Sequence, residues 1–291
     1  MLRALIKTMR PRQWTKNVFI FAALVFDLKL RDPDAVARSL AGFVLFCLIS
    51  SVVYILNDIA DVEADRQHPI KRNRPIAAGQ LPVRFATIIA LVLLIFTLSA
   101  AYWLSLGFFI IASLYFGFNL AYSKWLKHIT ILDVMMIATG FVLRVAAGVS
   151  IIQVERFSPW LYVVMTLFAL FLGFAKRRAE LTLLENAAQS HRRVLEGYTI
   201  PFLDQLITIV STATIIAYSL YTFSAPNVPE NHSMMLTIPF VVYGIFRYLY
   251  LVQVEHQGGA PEEMLLKDRP IQAVFLLWGI TVVVIFYFFK F

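Results

Sequence analysis

The sequence predicts an all-α membrane protein that crosses the bilayer nine times, with its N-terminus in the cytoplasm. Three observations carry that reading. Hydrophobic residues make up 59% of the 291 and charged residues only 15%, against roughly 45–50% and about 25% in a soluble domain. Mean hydropathy is +0.72, more apolar surface than a soluble fold of this size can hide. The apolar residues also fall into runs of span length, and the basic residues cluster on alternate connections. A soluble enzyme, a disordered chain and a secreted disulfide scaffold are excluded. Cys47 is the single cysteine, so an intrachain disulfide and a thiolate metal cage are excluded too.

A span takes about 20 mostly apolar residues. Residues 1–16 carry five basic side chains, and the apolar run 17–30 follows. Flanked by Trp14 and lacking a small-residue cleavage site, that run reads as a retained first span, although Asp27 and Lys29 interrupt it. Residues 39–57 form the second. Residues 85–123 are 39 uncharged positions, about 58 Å as one helix. That length requires two spans, with a turn at Ser105-Leu106-Gly107. Residues 131–152 and 234–254 each enclose one arginine, Arg144 and Arg247. Residues 157–175, 205–229 and 270–289 complete the nine. With the N-terminus inside, cytoplasmic segments hold 19 Lys and Arg and external ones 5, the bias expected of an N-in, C-out protein of the cell (plasma) membrane. The same bias accounts for the formal charge of +8, so no nucleic-acid partner is expected. No repeat or linker divides residues 1–291, which read as a single domain. The long polar connections 58–84, 176–204 and 255–270 place its chemistry on the cytoplasmic face.

The second span runs into Asn57-Asp58-Ile59-Ala60-Asp61-Val62-Glu63-Ala64-Asp65. If the helix continues, about 100° per residue sets Asp58, Asp61 and Asp65 within roughly a 60° arc bordered by Asn57. Stacked carboxylates at a helix C-terminus repel one another and oppose the helix dipole. A cation removes both penalties, and carboxylate and amide oxygens suit Mg²⁺. A solvated helix end is the plainer alternative. Downstream, Lys71, Arg72 and Arg74 form a basic turn that reads either as phosphate clamps or as positive-inside charge alone. The same choice applies to Lys176-Arg177-Arg178 at a span end. Arg144 and Arg247 read equally as structural pairs or functional groups. The five histidines show no metal-ligand spacing.

Asn57-Asp58-x-x-Asp61-x-x-x-Asp65, followed by Arg74-Pro75-Ile76-x-x-Gly79, resembles the first signature of the UbiA superfamily of intramembrane prenyltransferases. The resemblance implies nine helices around a central cavity and cytoplasmic Mg²⁺-diphosphate chemistry. The usual members carry a second aspartate-rich motif between helices six and seven. Here that loop is basic, with Lys176, Arg177 and Arg178, then Tyr198 and only one aspartate, Asp204. This variant resembles the branch that includes decaprenyl-phosphate phosphoribosyltransferase. So do Arg10-Pro11-Arg12-Gln13-Trp14-Thr15-Lys16-Asn17, the Tyr122-Ser123-Lys124-Trp125 turn and the 259–269 loop. That resemblance implies phosphoribosyl transfer from 5-phosphoribosyl 1-diphosphate to a polyprenyl phosphate, releasing diphosphate, in the making of a cell-wall arabinose donor.

On this reading Asp58, Asp61 and Asp65, with Asn57, hold Mg²⁺ on the donor diphosphate. Lys16, Lys71, Arg72, Arg74, Lys124, Lys176, Arg177 and Arg178, with Tyr198 and Asp204, bind the substrates. The partners are the donor, the polyprenyl phosphate and membrane lipids; the oligomeric state, homo-oligomer included, is left open. Two rivals stand: a conventional prenyltransferase taking a polyprenyl diphosphate and an aromatic acceptor, and a transporter, whose broken midplane spans are not evident.

The charge split makes a direct prediction. Single cysteines placed at 58–84, 176–204 and 255–270 in a Cys47→Ser background will react with impermeant reagent only from the cytoplasmic side. Labelling of any of the three from outside alone overturns the nine-span topology.

Overall fold

The computed structural model describes residues 1–291 except 70, 153, 155–157, 186–192, 256–263, 265–266 and 289–291, with side chains also left aside at 183–185 and 193–194. All regular structure among the described residues is helical. The chain begins with α1 (Leu2–Met9), a 3-10 helix (Pro11–Phe21) and α2 (Ala22–Phe26). Then come α3 (Pro33–Ala60), α4 (Val62–Gln67), α5 (Val83–Leu104), α6 (Leu106–Lys124) and α7 (Leu132–Ile151). α8 (Pro159–Glu185), α9 (Ile200–Ser224), α10 (Ile238–Gln253) and α11 (Arg269–Phe288) complete it. Among the described residues, eight helical segments are long and apolar enough to cross a membrane: α3, α5 to α9, Ser233–Gln253, which contains α10, and α11. The protein is a multi-pass integral membrane protein.

Local sequence sets the helix starts. Asp32 caps α3, its carboxylate accepting from the Asp34 and Ala35 amides at 3.0 and 3.3 Å, with Pro33 in the first turn. Thr199 caps α9 by accepting from the Phe202 amide at 3.3 Å, and Asp268 accepts from the Ile271 amide at 2.9 Å where α11 begins. Ser105, extended at φ −169°, separates α5 from α6 where the turn is expected.

The expected first span, 17–30, is not a helix of span length. Asn17 is fully buried, and its amide is drawn into side-chain bonds: Oδ1 accepts from Arg144 Nε at 2.7 Å and Nδ2 donates to Cys47 Sγ at 3.2 Å. The chain around it winds as a 3-10 helix. Within 17–30 that 3-10 helix covers the residues up to Phe21 and α2 covers Ala22–Phe26, so no continuous α-helix of span length forms there.

Two compact units divide the chain: 1–124 with 143–154, and 125–142 with 155–291. In the first unit α3 packs against α1, the 3-10 helix, α5 and α6. α5 is small inside and large outside. Ala86, Ala90, Thr97 and Ala101 are buried, whereas Ile88, Leu91, Val92, Ile95 and Phe96 are all exposed, the packing of helices in lipid rather than water. In the second unit α8 and α9 form a long pair, α10 packs on both, and α11 packs on α10. Its core gathers Val134, Phe171, Phe174, Leu203, Tyr248 and Leu251.

Gly148 of α7 is the tightest backbone approach in the first unit. A Cβ there would stand 2.0 Å from the Ile20 carbonyl oxygen. Gly148→Ala is expected to lower the thermal stability of the purified protein by about 1–3 kcal/mol. Gly117→Ala, which meets nothing within 4 Å, should gain about 0.5–1 kcal/mol from helix propensity. Equal melting temperatures for the two variants would refute that approach.

Candidate active site

In the first unit, α3 delivers Asn57 and Asp58 in its last turn and stops at Ala60. Asp61, at φ −94° and ψ 8°, breaks the helix before α4. The Asp61 amide still reaches the Asn57 carbonyl at 2.9 Å, and the Asp65 amide reaches the Asp61 carbonyl at 2.8 Å. Asp58 and Asp65 turn inward, each 2% exposed, while Asp61 stays partly exposed.

Two arginines meet the inward pair. Arg74 Nη1 donates to Asp58 Oδ1 at 3.1 Å and to Asp65 Oδ2 at 2.6 Å. Arg10 Nη2 donates to the same Asp58 Oδ1 at 2.5 Å, and its guanidinium lies over the Tyr54 ring at 4.9 Å. Both positions are fixed by backbone. Arg10 is left-handed, φ 54°, where α1 turns into the 3-10 helix. Arg74 sits in a turn closed by the Arg74 amide to the Lys71 carbonyl and the Leu81 amide to the Pro75 carbonyl. Ile76 and Leu81, each 1% exposed, bury the turn's underside against Val52, Ile55, Ala86 and Ala90. Lys71 and Arg72 are exposed in the same turn, Lys16 is partly buried in the 3-10 helix, and Lys124 is exposed at the end of α6.

The donor chemistry suits a divalent cation. A single nitrogen already reaches an oxygen of each buried carboxylate, so one ion could bind both. Among the described residues no three Asp, Glu, His or Cys side chains converge to hold a metal. Two carboxylates are nonetheless the usual protein share for Mg²⁺, whose other ligands are water and substrate phosphate.

In the second unit, α8 carries Lys176, Arg177 and Arg178. Arg177 is 1% exposed; its Nε meets Asp133 Oδ2 at 2.6 Å and its Nη1 meets Glu180 Oε2 at 2.5 Å. Tyr198 donates its hydroxyl to Asp133 Oδ1 at 2.7 Å and accepts from the Ile131 amide at 2.7 Å. Burial, and then donation to Asp133, push the Tyr198 hydroxyl well above the usual tyrosine range, so it stays a neutral donor at physiological pH. Arg178 pairs through Nε with Asp204 Oδ1 at 2.6 Å and donates from Nη1 to the Val252 carbonyl at 3.2 Å. Lys176 is partly buried. Expected as phosphate clamps or as positive-inside charge, Arg177 and Arg178 are each paired with acids. Of the intramembrane arginines, Arg247 pairs with Asp268 at 2.8 Å, and Arg144 donates to Asn17 and to the Tyr115 hydroxyl at 2.7 and 3.0 Å. Most of the 259–269 loop lies outside the described residues.

Sequence reasoning missed Arg10, Asp133 and Glu180 as parts of these clusters. Glu180 stands three residues from Arg177, a legible helical pair. Arg10 and Asp133 lie 48 and 44 residues from their partners, with no periodic signal.

Comparison with known proteins agrees with this architecture. The model of the UbiA prenyltransferase family matches residues 18–267. The decaprenyl-phosphate phosphoribosyltransferase of Mycolicibacterium smegmatis is 36% identical, covering 99% of this chain and 94% of its own. That of Mycobacterium tuberculosis is 34% identical over 97% and 94%. Among solved structures, a UbiA homolog from Archaeoglobus fulgidus bound to GPP and Mg²⁺ superposes with a TM-score of 0.73 at 19% identity, covering 96% and 99% of the two chains. A family match over most of the chain, and relatives above 30% identity along nearly all of it, make this chain a member of the UbiA prenyltransferase family.

Proposed function

We propose that the protein transfers the phosphoribosyl group of 5-phosphoribosyl 1-diphosphate to a polyprenyl phosphate, at the cytoplasmic face of the cell membrane. The observation that carries this reading is the likeness, end to end, to two decaprenyl-phosphate phosphoribosyltransferases. Asp58 and Asp65 would hold the Mg²⁺ of the donor, with Asn57 and Asp61 beside them. Bound there, the ion supplies charge neutralisation to the departing diphosphate.

The chain's own residues do the rest. Arg74 and Arg10 present guanidiniums at the same carboxylates, and Lys71 and Arg72 add charge in the adjoining turn. Such cations orient a diphosphate by charge-assisted bonds. A lipid phosphate oxygen forms a bond to the anomeric carbon as the bond from that carbon to the diphosphate breaks. The nucleophile is already anionic at neutral pH, so no general base is needed. The product, a polyprenyl-linked phosphoribose, would serve as a precursor of a cell-wall arabinose donor. Lys16, Lys124, Lys176, Arg177, Arg178, Tyr198 and Asp204 stand as proposed substrate-binding residues.

Purified protein supplied with polyprenyl phosphate, 5-phosphoribosyl 1-diphosphate and Mg²⁺ should release diphosphate and form the lipid-linked phosphoribose. EDTA should abolish turnover and Mg²⁺ restore it. Asp58→Asn and Asp65→Asn should each lose at least about a hundredfold in kcat, several kcal/mol of charge stabilisation. A protein that instead consumes a polyprenyl diphosphate with an aromatic acceptor refutes the assignment.

The arginines of α8 separate by burial. Arg177→Gln strands Asp133 and should destabilise the fold by about 3–5 kcal/mol, seen as a lowered melting temperature in detergent. The Arg178 partner Asp204 is 36% exposed, so Arg178→Gln should melt near wild type. If Arg178 grips phosphate, KM for one substrate rises at least about tenfold, one lost charge-assisted bond. Unchanged KM values return Arg178 to a structural role.

A further inference from the structure

We propose that Arg74 and Arg10 are resident counter-cations of the Asp58–Asp65 pair, which they yield only to a divalent ion arriving with the anionic donor. Metal binding is then conditional on the diphosphate. The inference rests on the reading of Asp58 and Asp65 as the metal-holding acids.

Charge balance carries it. Both carboxylates are almost fully buried, and both are already compensated: one Arg74 nitrogen bridges them and Arg10 shares the Asp58 oxygen. Two negative and two positive groups leave the cluster neutral. Asp61 is partly exposed and Lys71 and Arg72 are exposed, where water screens them. A bare divalent ion would leave the cluster two charges positive and would have to displace a guanidinium bonded at 2.6 Å. With a diphosphate the balance returns, because the displaced guanidiniums gain phosphate oxygens as acceptors. Exposure permits the exchange. The side chains of Arg10 and Arg74 are 32% and 28% exposed, against 2% and 3% for the acids they hold, so the cations can swing outward while the carboxylates stay fixed. By linkage, the donor raises metal affinity as much as the metal raises donor affinity.

The test is binding without turnover, using full-length protein in nanodiscs and no lipid acceptor. Each variant is titrated with Mn²⁺ alone, read by electron paramagnetic resonance, and separately with preformed Mn²⁺–pyrophosphate. Arg74→Gln should bind bare Mn²⁺ at least about tenfold more tightly than wild type, within the usual range of such couplings, and bind Mn²⁺–pyrophosphate more weakly. Arg74→Lys, which keeps the charge, should remain close to wild type in both titrations. Arg10→Gln should shift in the same directions as Arg74→Gln and serves in its place if that variant does not fold. Bare-ion affinity that is unchanged or lower in the glutamine variants overturns the counter-cation role while leaving the metal-site reading intact. Absence of any Mn²⁺ or Mn²⁺–pyrophosphate binding, wild type included, overturns both.

Discussion

The first unit is organised around the cost of keeping two carboxylates out of water. An unpaired buried charge is expensive enough to unfold a marginal protein, so Asp58 and Asp65 require cations at fixed places. That requirement explains otherwise odd local structure. The turn after α4 is buried on Ile76 and Leu81, which holds Arg74 where it reaches both acids. Arg10 accepts a left-handed backbone at the end of α1, which lets the chain turn while its side chain crosses to α3. The helix break at Asp61 belongs to the same arrangement. It lets α4 bring Asp65 back toward Asp58 instead of leaving the two as separate rungs on one rod.

Elsewhere the chain settles its arginines in three different ways. Arg144 is buried with an amide oxygen, a phenol and the ring faces of Phe46 and Tyr115, at 5.7 and 4.9 Å. Neutral dipoles and aromatic quadrupoles can hold a guanidinium that carbon alone could not. Arg177 instead takes two acids. Arg38 takes backbone: its Nε and Nη2 donate to the Ile151 and Leu104 carbonyls at 2.7 and 2.8 Å, satisfying acceptors that helix ends leave unpaired. These side chains are structural members as much as charges.

Hydropathy made most spans legible because a lipid-facing helix is apolar along its length. The split of 85–123 at Ser105 and the positions of α3 and α7 follow from it directly, whereas α9 (Ile200–Ser224) starts and ends five residues before the expected 205–229, taking in Asp204. The run 17–30 misled because hydropathy records apolar content, not backbone winding, and the winding there answers to the tertiary partners of Asn17. Asp61 marks the same limit: helical periodicity assumes the helix goes on, and this one breaks at that residue. The basic stretch of α8 was visible as charge, but Asp133 lies on another helix and Asp204 beyond a long connection. Periodic patterns report neighbours within one element, and ion pairs of this kind report topology.

The contrast between the two clusters bears on which can do chemistry. Both match acids with arginines, so pairing alone does not distinguish them. Exposure does. Around Arg177 the cation and Asp133 are both buried, at 2% and 0%, and only the second acid, Glu180, reaches solvent at 24%, so opening the Arg177–Asp133 pair strands a buried carboxylate. Around Arg74 only the acids are buried, and the cation stands at the edge of solvent. An ion pair with one wet partner can trade that partner for another of like charge, and an ion pair with none is locked. The same residue types therefore build a buried brace at Arg177–Asp133 and, on our proposal, an exchangeable cation site at Asp58 and Asp65. Burial, more than composition, is what makes Asp58 and Asp65 the acids able to exchange one cation for another.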